Sequence, residues 1–381
     1  MKYEFPLIDH ISDVLPAIKG ADEFIVADRG EIQIVNYMVN KPDTFFTGNE
    51  EVDAIRRECR GLVFDASGIL ISRPYHKFFN VGENEEVSID ALRRIIHRPH
   101  WFMEKLDGSM VRPIQTSNGL KLGTKMGFSE TALRAQAWMK LSELSSQYAE
   151  FMQICVDSGF TPIFEWVSSE DRIVIDYGES CLYLTALRNN LTGLYMDYIP
   201  MKNLATEANI PVVWADIVSG PLEDSLKKIR AEEGSEGYVI RFEESGHMTK
   251  VKNEWYVTIH RSKEVASNER LVVKAIFDEE VDDLKPLLLE DDLKRVNEME
   301  TLVTQNLLNT VKEIEEQISS IGDMDRKTFA MTVETPYKSI IFAYHFGGKG
   351  DLLDHVKDMI RKSLTKNVEF DKIKHNLLKE E

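Results

Sequence analysis

The chain has 381 residues, enough for two domains and too many for one ordinary core. Its composition is globular, 43% hydrophobic and 29% charged, and no stretch of about 18 uncharged apolar residues is present to cross a membrane. Lys and Arg number 46 against 64 Asp and Glu, a net charge of −18 that argues against non-specific binding to duplex DNA but leaves room for a local groove of lysines.

The N-terminal stretch mixes Lys2, Glu4, Asp9 and Asp13 with apolar residues, so it lacks the unbroken apolar run of a signal peptide. Three widely spaced cysteines, Cys59, Cys155 and Cys181, form no CxxC and cannot make a disulfide framework. These features predict a soluble, cytoplasmic protein from a reducing compartment. From Phe24 to about Trp255 the pattern is one of short strands and turns. Alternation predicts a hairpin over Arg60–Arg73 turning at Ser67-Gly68, and a second over Met110–Lys125 around Asn118-Gly119. One helix is predicted next, capped by Ser129, with Leu133, Trp138, Leu141, Leu144, Tyr148 and Phe151 on its apolar side and a stop at Gly159. Strands are predicted at Pro162–Val167 and Leu182–Leu187, and a third hairpin at Gly237–Lys252 turning at Ser245-Gly246. Beyond Val265 helical patterns take over, including Leu302–Ile321 and Leu352–Leu364, with a strongly acidic stretch at Asp278–Asp292. The expected fold class is α+β: residues 1–265 a domain of antiparallel sheets with flanking helices, residues 266–381 an all-helical domain.

Several residues have chemistry to offer. In "EKLDGS", Lys105 precedes Asp107-Gly108. A lysine there is either a surface turn residue or a nucleophile toward a nucleotide α-phosphate. The second role requires a neutral amine, hence nearby positive charge or desolvation. Glu165 interrupts the apolar strand "TPIFEWV", where alternation puts it with Ile163 and Val167 and opposite Phe164 and Trp166. It is either a solvated strand residue or an acid for a ribose hydroxyl or a metal. Glu236 precedes a strand whose return carries Lys250 and Lys252, two residues apart and so on one face. A solvated face is the common fate of such a pair, but a phosphate between them would relieve their repulsion. Upstream, Arg60 in "ECRG" and Lys77 in "SRPYHKFFN" add cations that could grip phosphate. The glycine-rich "HFGGKGD" at His345–Asp351 lacks P-loop spacing and reads as a loop between helices, and the nine histidines include no HExxH.

The order and spacing of Lys105-x-Asp-Gly, Phe164-Glu165-Trp166, Glu236-Gly-Tyr-Val and Lys250-x-Lys252 resemble the covalent nucleotidyltransferases, the group of DNA ligases, RNA ligases and capping enzymes. "ECRG", "SRPxxKFFN", "NEWY", "DDLK" at Asp282–Lys285 and "DRKTFAM" at Asp325–Met331 narrow the likeness to the RNA ligase 1 family, the T-even phage type. The resemblance covers nearly the whole chain. It implies an ATP-dependent RNA ligase that joins 5′-phosphate and 3′-hydroxyl ends of single-stranded RNA through lysyl-AMP and adenylated RNA, acting in repair of broken tRNA anticodon loops. Lys105 would take the AMP. Tyr37, Arg60 and Lys77 would contact the triphosphate, Lys125 would be the nucleotide-binding motif lysine that follows the first sheet hairpin, Lys250 and Lys252 would hold the α-phosphate, and Val239 would pack on the adenine. Glu165 and Glu236 would bind ribose or metal, with Asp282 and Asp283 near the Mg²⁺, for which Mn²⁺ could substitute. The helical domain would select the RNA, and the protein would act as a monomer, in a host cytoplasm if phage-encoded. Two departures stand out. Gly123 occupies a position often basic in the family, and Leu106 one where the T-even type has an acid. The alternatives are another nucleotidyltransferase, such as a DNA ligase or capping enzyme, and a non-catalytic RNA-end-binding protein.

Overall fold

The computed structural model describes residues 4–218, 220–347 and 351–379. The chain divides into two compact units, one ending at Val257 and one beginning at Thr258. The helix Glu254–Ala266 runs across that division.

Three sheets build the first unit. One is the antiparallel meander Phe24–Asp28, Ile32–Tyr37, Arg60–Asp65 and Leu70–Ser72. In the second, the strand Phe160–Val167 lies between Cys181–Asn189 and Ser109–Thr116, with Gly119–Gly123 at the edge. In the third, Gly237–Phe242 is central, flanked by His100–Glu104 and Met248–Lys252. Ala215–Asp216 and Phe79–Asn80 close the two edges, the latter in parallel. All three predicted hairpins are present. Their turns pass through Gly68, Gly119 and Gly246, each at positive φ (+91°, +91° and +63°), a conformation glycine adopts at no steric cost.

The region predicted as one helix is two, Glu130–Leu141 and Ser145–Asp157. Ser129 caps the first through Ala132 N–H, and Gly159 (φ +76°) follows the second as expected. At Ser142 the backbone turns extended (ψ 153°), so the 3.6-residue phase does not carry across. Leu133 and Leu141 therefore face solvent, 60% and 88% exposed, while Ala132, Ala135, Met139, Tyr148, Phe151 and Met152 are buried. Tyr148 anchors the second helix to the second sheet, donating its hydroxyl to Leu182 O at 2.8 Å.

The second unit is helical. Its longest element is Glu290–Ile321. The acidic stretch read from the sequence ends inside this helix, and Glu290, Asp291 and Asp292 form its first turn, where carboxylates oppose the positive end of the helix dipole. Glu269–Phe277, Lys338–Gly347, Leu352–Ser363 and Asn367–Leu377 pack against it, Val281–Leu284 packs against Glu269–Phe277, and Arg326–Thr332 against Lys338–Gly347. Val272, Val296, Val303, Ile314, Phe329, Ile341 and Val356 make its core. Of the segment His345–Asp351 read as a loop, His345, Phe346 and Gly347 belong to the end of the helix Lys338–Gly347, Asp351 caps the helix Leu352–Ser363, and residues 348–350 lie outside the described residues. No described helix is long and apolar enough to cross a membrane.

One buried ionic group ties the first unit together. Glu58, completely buried, accepts from Arg73 Nε (3.0 Å) with one oxygen and from Arg188 Nη2 (2.7 Å) with the other. The same two guanidiniums donate to Pro6, Asn190 and Leu191 carbonyls (Arg73) and to Pro74 and Gly193 carbonyls (Arg188). Burial alone would raise the Glu58 pKa, but Arg188 and Arg73 outweigh it and hold the carboxyl below its usual range. Removing one member of a buried ionic group leaves uncompensated charge, at a cost of about 3–5 kcal/mol. Glu58→Gln should therefore lower the urea-unfolding free energy by that order, a value unchanged within about 0.5 kcal/mol contradicting the assignment. Because the folded pKa is depressed, the stabilisation is present above the ordinary carboxylate pKa and is lost as pH falls through the folded value. The variant should lose that acid-side dependence.

Candidate active site

Lys105 follows directly on the His100–Glu104 strand. Its N–H donates to Gly237 O at 2.9 Å, extending the register that pairs Glu104 with Tyr238. Gly237 is also opposite Lys252 on the other side. Lys105, Gly237 and Lys252 thus lie side by side across three strands, with Glu236 at the mouth of the middle one. The Glu236 carboxylate bridges the flanking amines, Oε2 to Lys105 Nζ at 2.7 Å and Oε1 to Lys252 Nζ at 2.9 Å. Its side chain is 4% exposed, against 24% and 29% for the lysines. Gly237 has φ +129°, and a Cβ there would lie 2.0 Å from Val251 O. No other residue lets the three strands close to this distance.

Lys250 and Val239 are register partners one pair further on, and Val239 also faces Met103. Burial first, then the charges of Lys105, Lys77, Arg60 and Lys252, bring the Lys250 amine down to about 7. The depressed amine demanded by a crowd of cations is therefore found at Lys250. Glu165 lies on the second sheet opposite Tyr183 and Met110. Burial and the neighbouring Glu236 and Asp107 carboxylates raise it to about 7 against the pull of Lys105 and Arg60. Phe164 and Trp166 pack into the core, as alternation predicts, and the Glu165 carboxyl lies within electrostatic reach of Lys105.

Arg60 and Lys77 reach the same place. Phe78 lies between two cations, its ring centroid 5.9 Å from the Arg60 guanidinium and 5.9 Å from the Lys250 ammonium. Lys77 is 9% exposed, with its ammonium 4.5 Å from the Phe79 centroid and 3.9 Å from Glu83. Burial, Arg60 and Arg57 lower its pKa. Arg60 Nη1 is buried without a hydrogen-bond partner in the protein, an orphan donor that an anionic ligand would satisfy. Lys125 is drawn in by a backbone contact: Gly61 has φ +95° and its absent Cβ would fall 2.7 Å from Lys125 O. Burial and Arg60 lower the Lys125 pKa, and its ammonium sits 5.2 Å from the Tyr37 centroid.

The residues fixing this arrangement were largely invisible to sequence reasoning. Arg112, fully buried, donates to the carbonyls of Gly61, Gly123 and Thr124, and so locks the backbones next to Arg60 and Lys125. Asp107 is a buried acceptor, with Val174 N–H (2.7 Å) and Ile175 N–H (2.8 Å) on one oxygen and Tyr256 O–H (2.5 Å) on the other. Gly108 is needed for close approach, since a Cβ would lie 2.3 Å from Trp166 O. Asn253 Nδ2 donates to Ser235 O and Asn253 N–H to Glu236 O, fixing the residue that bridges the lysines. Both departures sit in packed surroundings. A Cβ at Gly123 would lie 2.4 Å from Ile114 Cδ1, and Leu106, 7% exposed, belongs to the core.

The site therefore gathers Tyr37, Arg60, Lys77, Lys105, Lys125, Glu165, Glu236, Val239, Lys250 and Lys252 from the first unit. Asp282 and Asp283 belong to the second, on Val281–Leu284, with Asp282 88% exposed and 3.6 Å from Lys285. Among the described residues no three His, Cys, Asp or Glu side chains cluster closely enough to hold a metal unaided.

Such a site should take up protons as it binds phosphate. At pH 8 an amine with a pKa of about 7 is mostly neutral, and an anion beside it restores the charge. Titration calorimetry with inorganic triphosphate at pH 8, in buffers of different ionisation enthalpy, should show uptake approaching one proton. Lys250→Arg should abolish it, and equal uptake in that variant would contradict this reading of Lys250.

Residues 58–256 match the RNA ligase family, and residues 263–375 match the C-terminal domain of T4 RNA ligase 1. A Thermovibrio ammonificans protein provisionally named an RNA ligase is 25% identical over 338 residues, spanning 87% of this chain and 85% of its own. RNA ligase 1 of Bacteriophage TS2126 is 25% identical over 293 residues, 75% of this chain and 71% of its own. Among solved structures, an archaeal ATP-dependent RNA ligase has a TM-score of 0.44 at 16% identity, covering 87% of this chain and 86% of that one. With that match over more than half of its length, the chain belongs to the RNA ligase family.

Proposed function

We propose that the protein joins RNA ends in three phosphoryl-group displacements, with Lys105 as the carrier of AMP. The observation that carries this reading is Glu236 bridging Lys105 and Lys252 beside the desolvated Lys250. In the first step Lys105, an ammonium in its ion pair, gives a proton to Glu236 Oε2, 2.7 Å away, and the freed Nζ lone pair bonds to the α-phosphorus of ATP as the bond to the β-phosphate oxygen breaks. Pyrophosphate leaves, and the second proton, shed as the phosphoramidate forms, passes to solvent. Lys250 and Lys252 meet the α-phosphate charge, and Arg60, Lys77 and Lys125 hold the departing phosphates. In the second step a 5′-phosphate oxygen of RNA attacks the same phosphorus and the nitrogen leaves with a proton. In the third a 3′-hydroxyl attacks the activated 5′-phosphate and AMP departs.

A Mg²⁺ in such a site takes one or two carboxylates and completes its shell with phosphate oxygens and water. Glu165 fits that need, and both Glu236 oxygens are already held by lysines. The ion would neutralise charge on the phosphates as they separate. Tyr37 supports Lys125 and Val239 packs against the base. We assign residues 1–265 to adenylyl transfer. Residues 266–381 are assigned to selection of the RNA. The broken tRNA anticodon loop is the substrate we favour, in the cytoplasm and with the protein acting as a monomer.

Incubation with α-labelled ATP and Mg²⁺, followed by a denaturing gel, should leave label on the wild-type chain and none on Lys105→Ala. Label that persists in the variant, or never forms on the wild type, would sink the proposal.

A further inference from the structure

A surface beside Lys125, which holds the departing phosphates, adds Lys121, Met126 and Phe128, which the catalytic steps do not use. After the Gly119–Gly123 strand the chain makes a tight turn closed by two hydrogen bonds, Thr124 N–H to Gly127 O and Gly127 N–H to Thr124 O, both 2.9 Å. Gly127 (φ +91°) rests on Ile34, with only 2.5 Å for a Cβ before Ile34 Cδ1, so the turn is fixed to the first sheet. At its tip are Lys125 and Met126, and just beyond it Phe128. Met126 is 36% exposed with its sulfur 2.9 Å from Asn36 Nδ2, and Phe128 is 38% exposed. The Lys121 ammonium lies 5.7 Å from the Phe128 centroid, repeating the Lys125–Tyr37 pair at 5.2 Å. Glu31, whose carboxylate accepts from Ser117 N–H at 2.7 Å, lies within electrostatic reach of Lys121.

An exposed ring costs hydration unless something covers it, and a chain of net charge −18 has little general reason to put a lysine beside Phe128. Aromatic faces alternating with cations are what a single strand of nucleic acid needs: bases stack on the rings and backbone phosphates meet the ammoniums. The strip is continuous with Arg60 through the Gly61–Lys125 contact, so a strand lying on it would lead toward the orphan guanidinium donor.

We propose that Phe128 and Lys121, continued by Met126 and Lys125, form a docking surface for the single-stranded RNA end that enters the active site. The inference rests on the ligase reading and adds to it where the RNA lies and what grips it. A base stacks on Phe128, its phosphate pairs with Lys121, and the next phosphate reaches Lys125.

The test is titration of the full chain with a fluorescently labelled 5′-phosphorylated single-stranded oligoribonucleotide. Phe128→Ala should weaken binding by about 5- to 100-fold and Phe128→Trp should keep it, because any aromatic face accepts a base. Lys121→Gln should weaken it less and reduce the salt dependence by about one ion. AMP transfer from ATP to the protein, measured without RNA, should be unchanged in all three. Unchanged RNA affinity in both Phe128→Ala and Lys121→Gln overturns the proposal, and so does a loss in Phe128→Ala that Phe128→Trp fails to restore. AMP transfer reads the ligase assignment and the titration reads this surface, so the two fail separately.

Discussion

The carboxylate of Glu236, held between Lys105 and Lys252, is the constraint on which the site depends. Lys105, Lys252, Lys250, Lys77 and Arg60 converge on one region, and such cations repel. Two amines with one carboxylate oxygen each are compatible with close packing, and the desolvated Lys250 bears the remaining strain as a lowered pKa. A phosphate entering this region replaces water with fixed positive charge. The arrangement needs a residue without a side chain at Gly237, because Glu236 must enter the central strand with both neighbouring strands in contact.

Holding these groups in place falls to buried residues with no chemistry of their own. Glu58 with Arg73 and Arg188 fixes the backbone on either side of Arg60 and upstream of Lys77. Arg112 joins the Arg60 segment to the Lys125 segment by donating to carbonyls of both. Asp107, Tyr256 and Asn253 tie the Lys105 loop and the Glu236 entry to the chain that follows Lys252. Each buried charge is engaged by several hydrogen bonds, the condition under which a buried charge is tolerable. The family phrases thus have physical content. Glu58 in "ECRG", Arg73 in "SRP", and Asn253 and Tyr256 in "NEWY" are the clamps, while Arg60 and Lys77 in the same phrases are cations of the cluster around Lys250.

What the sequence disclosed follows the same division. The hairpins were legible because turn glycines and period-two alternation are local signals, and Lys250 and Lys252 share a face for that reason. The break at Ser142 was missed because apolar residues recur on both sides of it, and only packing decides that Leu141 faces water. Arg112 and Glu58 gave no sign of burial, since their partners are carbonyls or side chains far along the chain. Asp107 read as a turn residue, although its carboxylate collects donors from residues 174, 175 and 256. Long-range partners of this kind leave no spacing to read.

The central claim is that Lys105, rather than the more readily deprotonated Lys250, carries the nucleotide. Both amines belong to one cluster, and electrostatics alone would favour Lys250 as the nucleophile. Geometry favours Lys105, whose amine touches a carboxylate able to take its proton. Peptide mapping by mass spectrometry, after reaction with ATP and Mg²⁺ without RNA, decides between them. The account predicts a single AMP on the peptide and side chain of Lys105. AMP on Lys250 or Lys252, or no covalent AMP at all, would contradict it.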